Sequence, residues 1–173
     1  MSTFDERGDQ LLEPLRNNRR ANSLFGFASA IGDFSIIWHL IGLIHAIGSM
    51  HRLQQALALS IALGIESIIV NQFVKRLFRR ERPTISGDDR FDIRTPSTSS
   101  FPSGHASSAT FAAIILTSFT GLPLVLVWVA VALVVALSRV VVRIHHLSDI
   151  VGGIATGAVL GAIAVPVVSS FLS

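Results

Sequence analysis

Five apolar stretches, parted by polar ones, set the pattern of this 173-residue chain. They run from about Leu24 to Ser49, Leu53 to Val74, Gly104 to Thr120, Leu124 to Val142 and Asp149 to Leu172. A helix that crosses a bilayer needs about 20 mostly apolar residues, so each stretch is near the length of one crossing and none reaches two. His51 and Arg52 mark the turn between the first pair, and Gly121-Leu-Pro123 marks a turn before the fourth. The third stretch opens with small residues (HASSATFAAI), which suits tight packing inside a bundle. In the fifth, Gly153, Gly157 and Gly161 recur every four residues on one face. Such a seam allows close helix contact, within the chain or between two copies in an oligomer. The predicted fold class is all-α: an integral-membrane helical bundle of about five transmembrane helices with one polar end. Residues 1–21 read as a polar leader, either a helix lying on the membrane surface or a short cytosolic tail. Residues 22–173 read as one transmembrane domain.

Composition changes this picture in two ways. There is no cysteine, which excludes a disulfide framework, a thiolate nucleophile and a Cys-based metal site. Half of the residues are apolar and mean hydropathy is +0.61, so the charge that exists is concentrated. The segment from Lys75 to Arg94 holds one Lys and six Arg against Glu81, Asp88, Asp89 and Asp92, and most other charge lies before Ala21. No cleavable signal peptide is expected, because the first twenty residues are charged. Nothing in this pattern suggests a nucleic-acid partner; the expected partners are membrane lipids. Asp33, His39, His45 and Glu66 lie within apolar stretches, where an ionisable group is a functional candidate by default. For Asp33 and the two histidines the weight falls on structural roles facing other helices or the interface.

Counting five crossings puts three polar clusters at one end of the bundle, together with the N-terminus. The first cluster is KRLFRRERP, residues 75–83, where Lys75 and Arg82 are seven apart and would share one face of a helix. The second is FPSGHAS, residues 101–107. Pro102 can open a helix there, Gly104 lets backbone approach a ligand, and the free N–H groups of the first turn suit an anion. Ser103 adds a hydroxyl and His105 an imidazole within reach of that anion. The third is SRVVVRIHHLSD, residues 138–149, with Arg139 and Arg143 four apart and His145 and Asp149 four apart. On a helix, Asp149 would face His145, take one ring N–H and leave the other nitrogen as a nucleophile. His146 points elsewhere and lacks that partner. Fixed cations, helix-start amides, two histidines and one orienting carboxylate fit a dianionic phosphate and phosphoryl transfer near neutral pH.

At this point the chain resembles a known family, the type 2 phosphatidic acid phosphatase (PAP2) superfamily. The signature K-x6-RP matches Lys75 to Arg82-Pro83, PSGH matches Pro102 to His105, and SR-x5-H-x3-D matches Ser138-Arg139 to His145 and Asp149. The resemblance covers roughly residues 53–162. It implies a lipid phosphate phosphatase working through a phosphohistidine, with no metal and no cofactor. By resemblance His145 is the nucleophile, Asp149 its orienting partner and His105 the acid. Lys75, Arg82, Ser103, Gly104 and Arg139 hold the phosphate. The chain departs from many relatives in having Arg143 ahead of the nucleophile and His146-Leu147 after it; Arg143 then reads as an accessory cation. It also lacks one of the six spans of many bacterial members. Its compact form is similar to small actinobacterial members, among them decaprenyl-phosphoryl-phosphoribose phosphatases. That makes a polyprenyl-phosphoryl sugar phosphate or polyprenyl diphosphate the expected substrate. The competing readings are a non-catalytic binder or transporter of lipid anions, and a metal site built from His105, His145, His146 and Asp149. Arg16, Arg19 and Arg20 favour a cytoplasmic position for the site, in a plasma-membrane protein.

Overall fold

The computed structural model describes residues 2–83 and 98–173. The middle of the polar loop expected between the second and third apolar stretches lies outside these residues. The order is α1 (Thr3–Arg16), α2 (Arg19–Gly32), α3 (Ile36–His45), α4 (Met50–Ile68), α5 (Gly104–Thr120), α6 (Val125–Val141) and α7 (Leu147–Leu172), and the described residues contain no strand. Four helical stretches among them are long and apolar enough to cross a membrane: Arg19–His45, Met50–Leu77, Leu122–Val141 and Leu147–Leu172. The fifth expected span is α5, whose 17 residues make a rod about 25 Å long.

The small residues of α5 explain its place. Ala106, Ala109, Ala112 and Ile115 are fully buried, and α5 packs against α4, α6 and α7. Trp38, Leu59, Leu63, Phe111, Leu116 and Val135 fill the core around it. The outer helices keep apolar side chains on their open faces, such as Ile61, Leu126 and Ile163, as lipid contact requires. The glycine seam of α7 is filled by α5 of the same chain. A Cβ on Gly153 would meet the Ser103 carbonyl and Ala106, one on Gly157 the Ser107 backbone, and one on Gly161 the side chain of Ile114. Between the two uses expected of the seam, the structure shows the intrachain one.

Two elements differ from the expected pattern. The first apolar stretch is not one straight helix. It breaks at Asp33–Ser35, where Phe34 (φ 53°) and Ser35 (φ 60°) are left-handed, and α3 resumes at Ile36. The break goes with tertiary contacts: Asp33 faces His105 and Arg139, and Gly32 lets α2 pass close to the His105 ring. The second stretch loosens into a π-helical turn at Ile69–Phe73 and a 3-10 turn at Val74–Leu77, and the chain turns extended at Phe78. Lys75 and Arg82 therefore do not share a helix face.

The first 21 residues include the regular helix α1, which opens on Ser2 accepting from the Asp5 N–H. Its Arg16 is 1% exposed and donates to the carbonyls of Val140 (2.9 Å) and Val141 (3.0 Å) at the end of α6. Only Arg19 and Arg20 of the three flanking arginines stay exposed.

Candidate active site

The polar end of the bundle encloses a cavity of about 270 Å³. Lys75, Arg82, Gly104, His105, Arg139 and His145 all line it, although they come from four separate parts of the chain. All but Arg82, which lies in the extended chain past Leu77, are placed by a helix end. The loosened end of α4 carries Lys75, the first turn of α5 carries Gly104 and His105, the last turn of α6 carries Arg139, and the link into α7 carries His145. Ser103 sits behind this wall, fully buried. It caps α5, and its backbone N–H donates to the Asp149 carbonyl at 3.0 Å, which ties the starts of α5 and α7 together. A Cβ on Gly104 would point at Lys75 Nζ, so glycine keeps the space beside that ammonium open.

His145 is not on a helix. Its neighbour His146 caps α7, so Asp149 is the third residue of the helix. Its carboxylate folds back over the helix start, accepting from the His146 N–H at 2.8 Å and facing His145 Nδ1 at 3.4 Å. The four-residue spacing brings the pair together, but through an N-terminal fold-back instead of a shared helix face. Asp149 also accepts from the Ser100 hydroxyl (2.6 Å) and from Arg80 (2.7 Å), and it is wholly buried. The other ring nitrogen, Nε2, accepts from Arg82 Nη1 at 3.2 Å. Arginine only donates, so Nε2 carries the lone pair and Nδ1 the hydrogen, which faces the Ser100 hydroxyl at 3.3 Å and Asp149 Oδ2 at 3.4 Å.

His145 is 3% exposed. Burial pushes its basicity down, the Asp149 contact opposes this, and the charges of Arg82 and Arg139 push it further down. The ring is thus held neutral. A group depressed in the folded protein stays unprotonated below its ordinary titration point. The acid limb of kcat/KM, corrected for the substrate's own ionisation, is therefore expected below the usual imidazole value of about 6.5. An acid limb at or above that value would show that His145 is not the group being titrated. Burial likewise lowers Arg82, with Asp149 opposing. Arg82 is held by the carbonyls of Ile144, Thr98 and Ser99 at 3.1–3.3 Å.

Arg139 is 1% exposed, donates to the Ser29 hydroxyl, and has an Nε that is buried without a partner among the described residues. A buried guanidinium N–H left open beside a cavity suits an incoming anion. His105 Nε2 lies 3.1 Å from Asp33 Oδ1 and 3.2 Å from the Ser29 carbonyl. Arg143 does not join the cavity. It adopts a left-handed backbone (φ 57°) just past α6, and its Nη2 donates to Asp9 of α1 at 2.9 Å. The four-residue spacing to Arg139 fails because α6 ends at Val141 between them. No group of three His, Asp or Glu side chains among the described residues is arranged to hold a metal ion; His105 faces Asp33 and His145 faces Asp149.

Several residues of the site were not assigned from sequence. Asp33 and Glu66 were visible as charges inside apolar stretches, but nothing local says which helix each meets. Glu66 is 3% exposed, accepts from the Ser107 hydroxyl and lines the cavity. Ser100 and Arg80 lie in a loop rich in their own residue types, where no periodicity singles them out.

A family model described as the PAP2 superfamily matches residues 55–172. The chain belongs to this superfamily. Two decaprenylphosphoryl-5-phosphoribose phosphatases are similar to it. The one from Mycobacterium tuberculosis (strain ATCC 25618 / H37Rv) is 38% identical over 135 residues, 78% of this chain and 73% of the relative. The one from Mycolicibacterium smegmatis is 46% identical over 83 residues, 46% of this chain and 42% of the relative. The fold is shared with two solved structures. A PAP2 type phosphatidylglycerolphosphate phosphatase from Bacillus subtilis has TM-score 0.69 at 20% identity, covering 99% of this chain and 87% of that one. Aquifex aeolicus LpxE has TM-score 0.71 at 21% identity, covering 91% and 93%. This PAP2 protein is an integral-membrane lipid phosphatase, a phosphoric ester hydrolase, built as the helical bundle that its apolar pattern predicts.

Proposed function

We propose that this phosphatase removes the terminal phosphate of a polyprenyl-phosphoryl sugar phosphate through a phosphohistidine on His145. The observation that carries the chemistry is the His145 ring: neutral, oriented by Asp149, with its Nε2 lone pair beside Arg82 in a cavity that Lys75 and Arg139 also line. Nε2 attacks phosphorus, the bond from phosphorus to the sugar oxygen breaks, and that oxygen takes a proton from His105. Asp33, 3.1 Å from His105, stabilises the protonated ring that this step needs. Water, losing a proton to His105, then attacks the phosphohistidine and releases inorganic phosphate. The three cations and the first-turn amides of α5 balance the charge on the equatorial oxygens throughout.

The substrate class rests on the phosphatases this chain is similar to and on the mixed lining of the cavity. The cavity is also lined by Glu66, Ser67, Asn71 and Ser108, hydrogen-bonding groups suited to sugar hydroxyls. Glu66 also borders a second cavity of about 620 Å³ between α4 and α7, lined by Leu57, Ile61, Ile65, Leu160 and Ile163 among others. A headgroup with hydroxyls, joined to a long apolar chain, fits this pair of cavities meeting at one residue. Residues 1–21 act as the polar leader of this domain, with α1 lying along the membrane surface.

The test is inorganic phosphate release by the detergent-purified protein with EDTA present. The panel holds phosphatidic acid, phosphatidylglycerophosphate, polyprenyl mono- and diphosphate, and a polyprenyl-phosphoryl ribose phosphate. The expected result is metal-free release, fastest from the last. Faster release from polyprenyl diphosphate would replace the sugar phosphate as substrate. Binding of these lipids with no release from any of them would make the protein a lipid-anion binder or transporter.

A further inference from the structure

The helix α1 lies outside residues 55–172, the part matched by the family model, yet one of its side chains is built into the support of the active site. Asp5 is 2% exposed. One of its oxygens accepts from the Ser148 N–H at 2.9 Å, in the first turn of α7, and the other from Arg80 Nη2 at 2.6 Å. Arg80 in turn donates through Nη1 to the Ser148 hydroxyl (2.6 Å) and to Asp149 Oδ1 (2.7 Å). A guanidinium is a rigid planar fork, so holding one edge fixes the other. Burial alone would raise the Asp5 carboxyl, but the Ser148 and Ser2 hydrogen bonds and Arg80 outweigh it and hold Asp5 below the usual carboxylate range. Asp5 is therefore a fixed negative charge.

We infer that Asp5 and Arg80 are positioning residues of the phosphatase: α1 acts as a strap that aims the Asp149 carboxylate at His145. The inference rests on His145 being the nucleophile. The geometry divides the work between the two oxygens of Asp149. Oδ2 is shared by the Ser100 hydroxyl, the His146 N–H and His145. Oδ1 is held by Arg80, and Arg80 by Asp5. Without the strap, Oδ1 loses its charged partner and the carboxylate is held through Oδ2 alone, so the direction it gives the His145 ring is less fixed. The rest of α1 stays docked through Arg16 on the α6 carbonyls, Asp9 on Arg143, and Gly8 packed against Leu147.

The experiment is a double-mutant cycle on the full-length protein: Asp5→Asn, Arg80→Gln and the pair, with His145→Ala as control, each read as kcat, KM and melting temperature. Each single change is expected to lower kcat roughly tenfold or more with KM unchanged, because orientation and not binding is lost. The pair is expected to fall no further than Arg80→Gln alone, since both act along one path. Losses that multiply, or that appear in KM alone, would overturn the inference. So would kcat at the parent level in a folded Arg80→Gln protein. If Asp5→Asn fails to fold, Arg80→Gln decides alone, because it leaves the other α1 anchors in place. Activity persisting in His145→Ala would instead defeat the nucleophile assignment, which is a separate result.

Discussion

His145→Ala is expected to reduce phosphate release by at least about a thousandfold while the protein still folds. The cavity offers no ready replacement. His105 is fixed through Nε2 by Asp33 and the Ser29 carbonyl, and its other ring nitrogen is the one the proposed mechanism uses for proton transfer. His146 is not among the residues that line the cavity. Ser67 and Ser108 border the cavity, but neither hydroxyl has a hydrogen bond to a histidine side chain that could take its proton. Removing the imidazole also leaves Arg82 and Asp149 in place, so lipid binding is expected to persist while turnover stops. The measurement is kcat beside a binding assay and a melting curve. Residual kcat within tenfold of the parent would place the nucleophile elsewhere.

The largest expected effect on folding is at Gly157. A Cβ there would fall on the backbone carbonyl of Ser107, with the Ser107 Cα and carbonyl carbon also too close. Backbone cannot swing aside as a side-chain tip can, so α5 and α7 must separate. Gly157→Ala is expected to cost about 1–3 kcal/mol, in the range of overpacking a tight core, and Gly157→Val more. The same two helices present His105 and Asp149 at their first turns, linked by the Ser103 N–H bond to the Asp149 carbonyl. Activity should therefore fall along with stability. Gly64, also within a helix, is the comparison: a Cβ there meets nothing within 4 Å. Gly64→Ala is expected to be neutral or mildly stabilising, as alanine is the better helix former. Equal melting temperatures for the two alanine variants in detergent would mean that the α5–α7 contact is looser than described.

Much of the fold was legible because a bilayer imposes a local rule. Where each apolar run starts and stops follows from its own length and composition, and α5, α6 and α7 begin and end close to the expected positions. The break at Asp33–Ser35 was not legible. A left-handed Phe and Ser have no sequence signature, and the contact that settles them is with His105, far along the chain. The contact between His145 and Asp149 was legible for a partly mistaken reason. The spacing of His145 and Asp149 is right for a helix face, yet the contact forms where the helix starts and the carboxylate folds back. Arg143 shows the same limit in reverse: its spacing to Arg139 was right, but the helix stopped first, and Asp9 claimed the charge.

By itself, then, the sequence determined the number and order of apolar elements, the end of the bundle where the charges gather, and the residue types that chemistry at that end would use. These are properties of composition and spacing, which act over a few residues. Tertiary structure alone decided which charges meet. Asp5 reaches Arg80 across 75 positions, Arg80 reaches Asp149 across 69, and Ser107 reaches Glu66 across 41. A buried charge must find its partner wherever packing brings one, and packing is a property of the whole bundle, as where the glycines of α7 let its backbone touch α5.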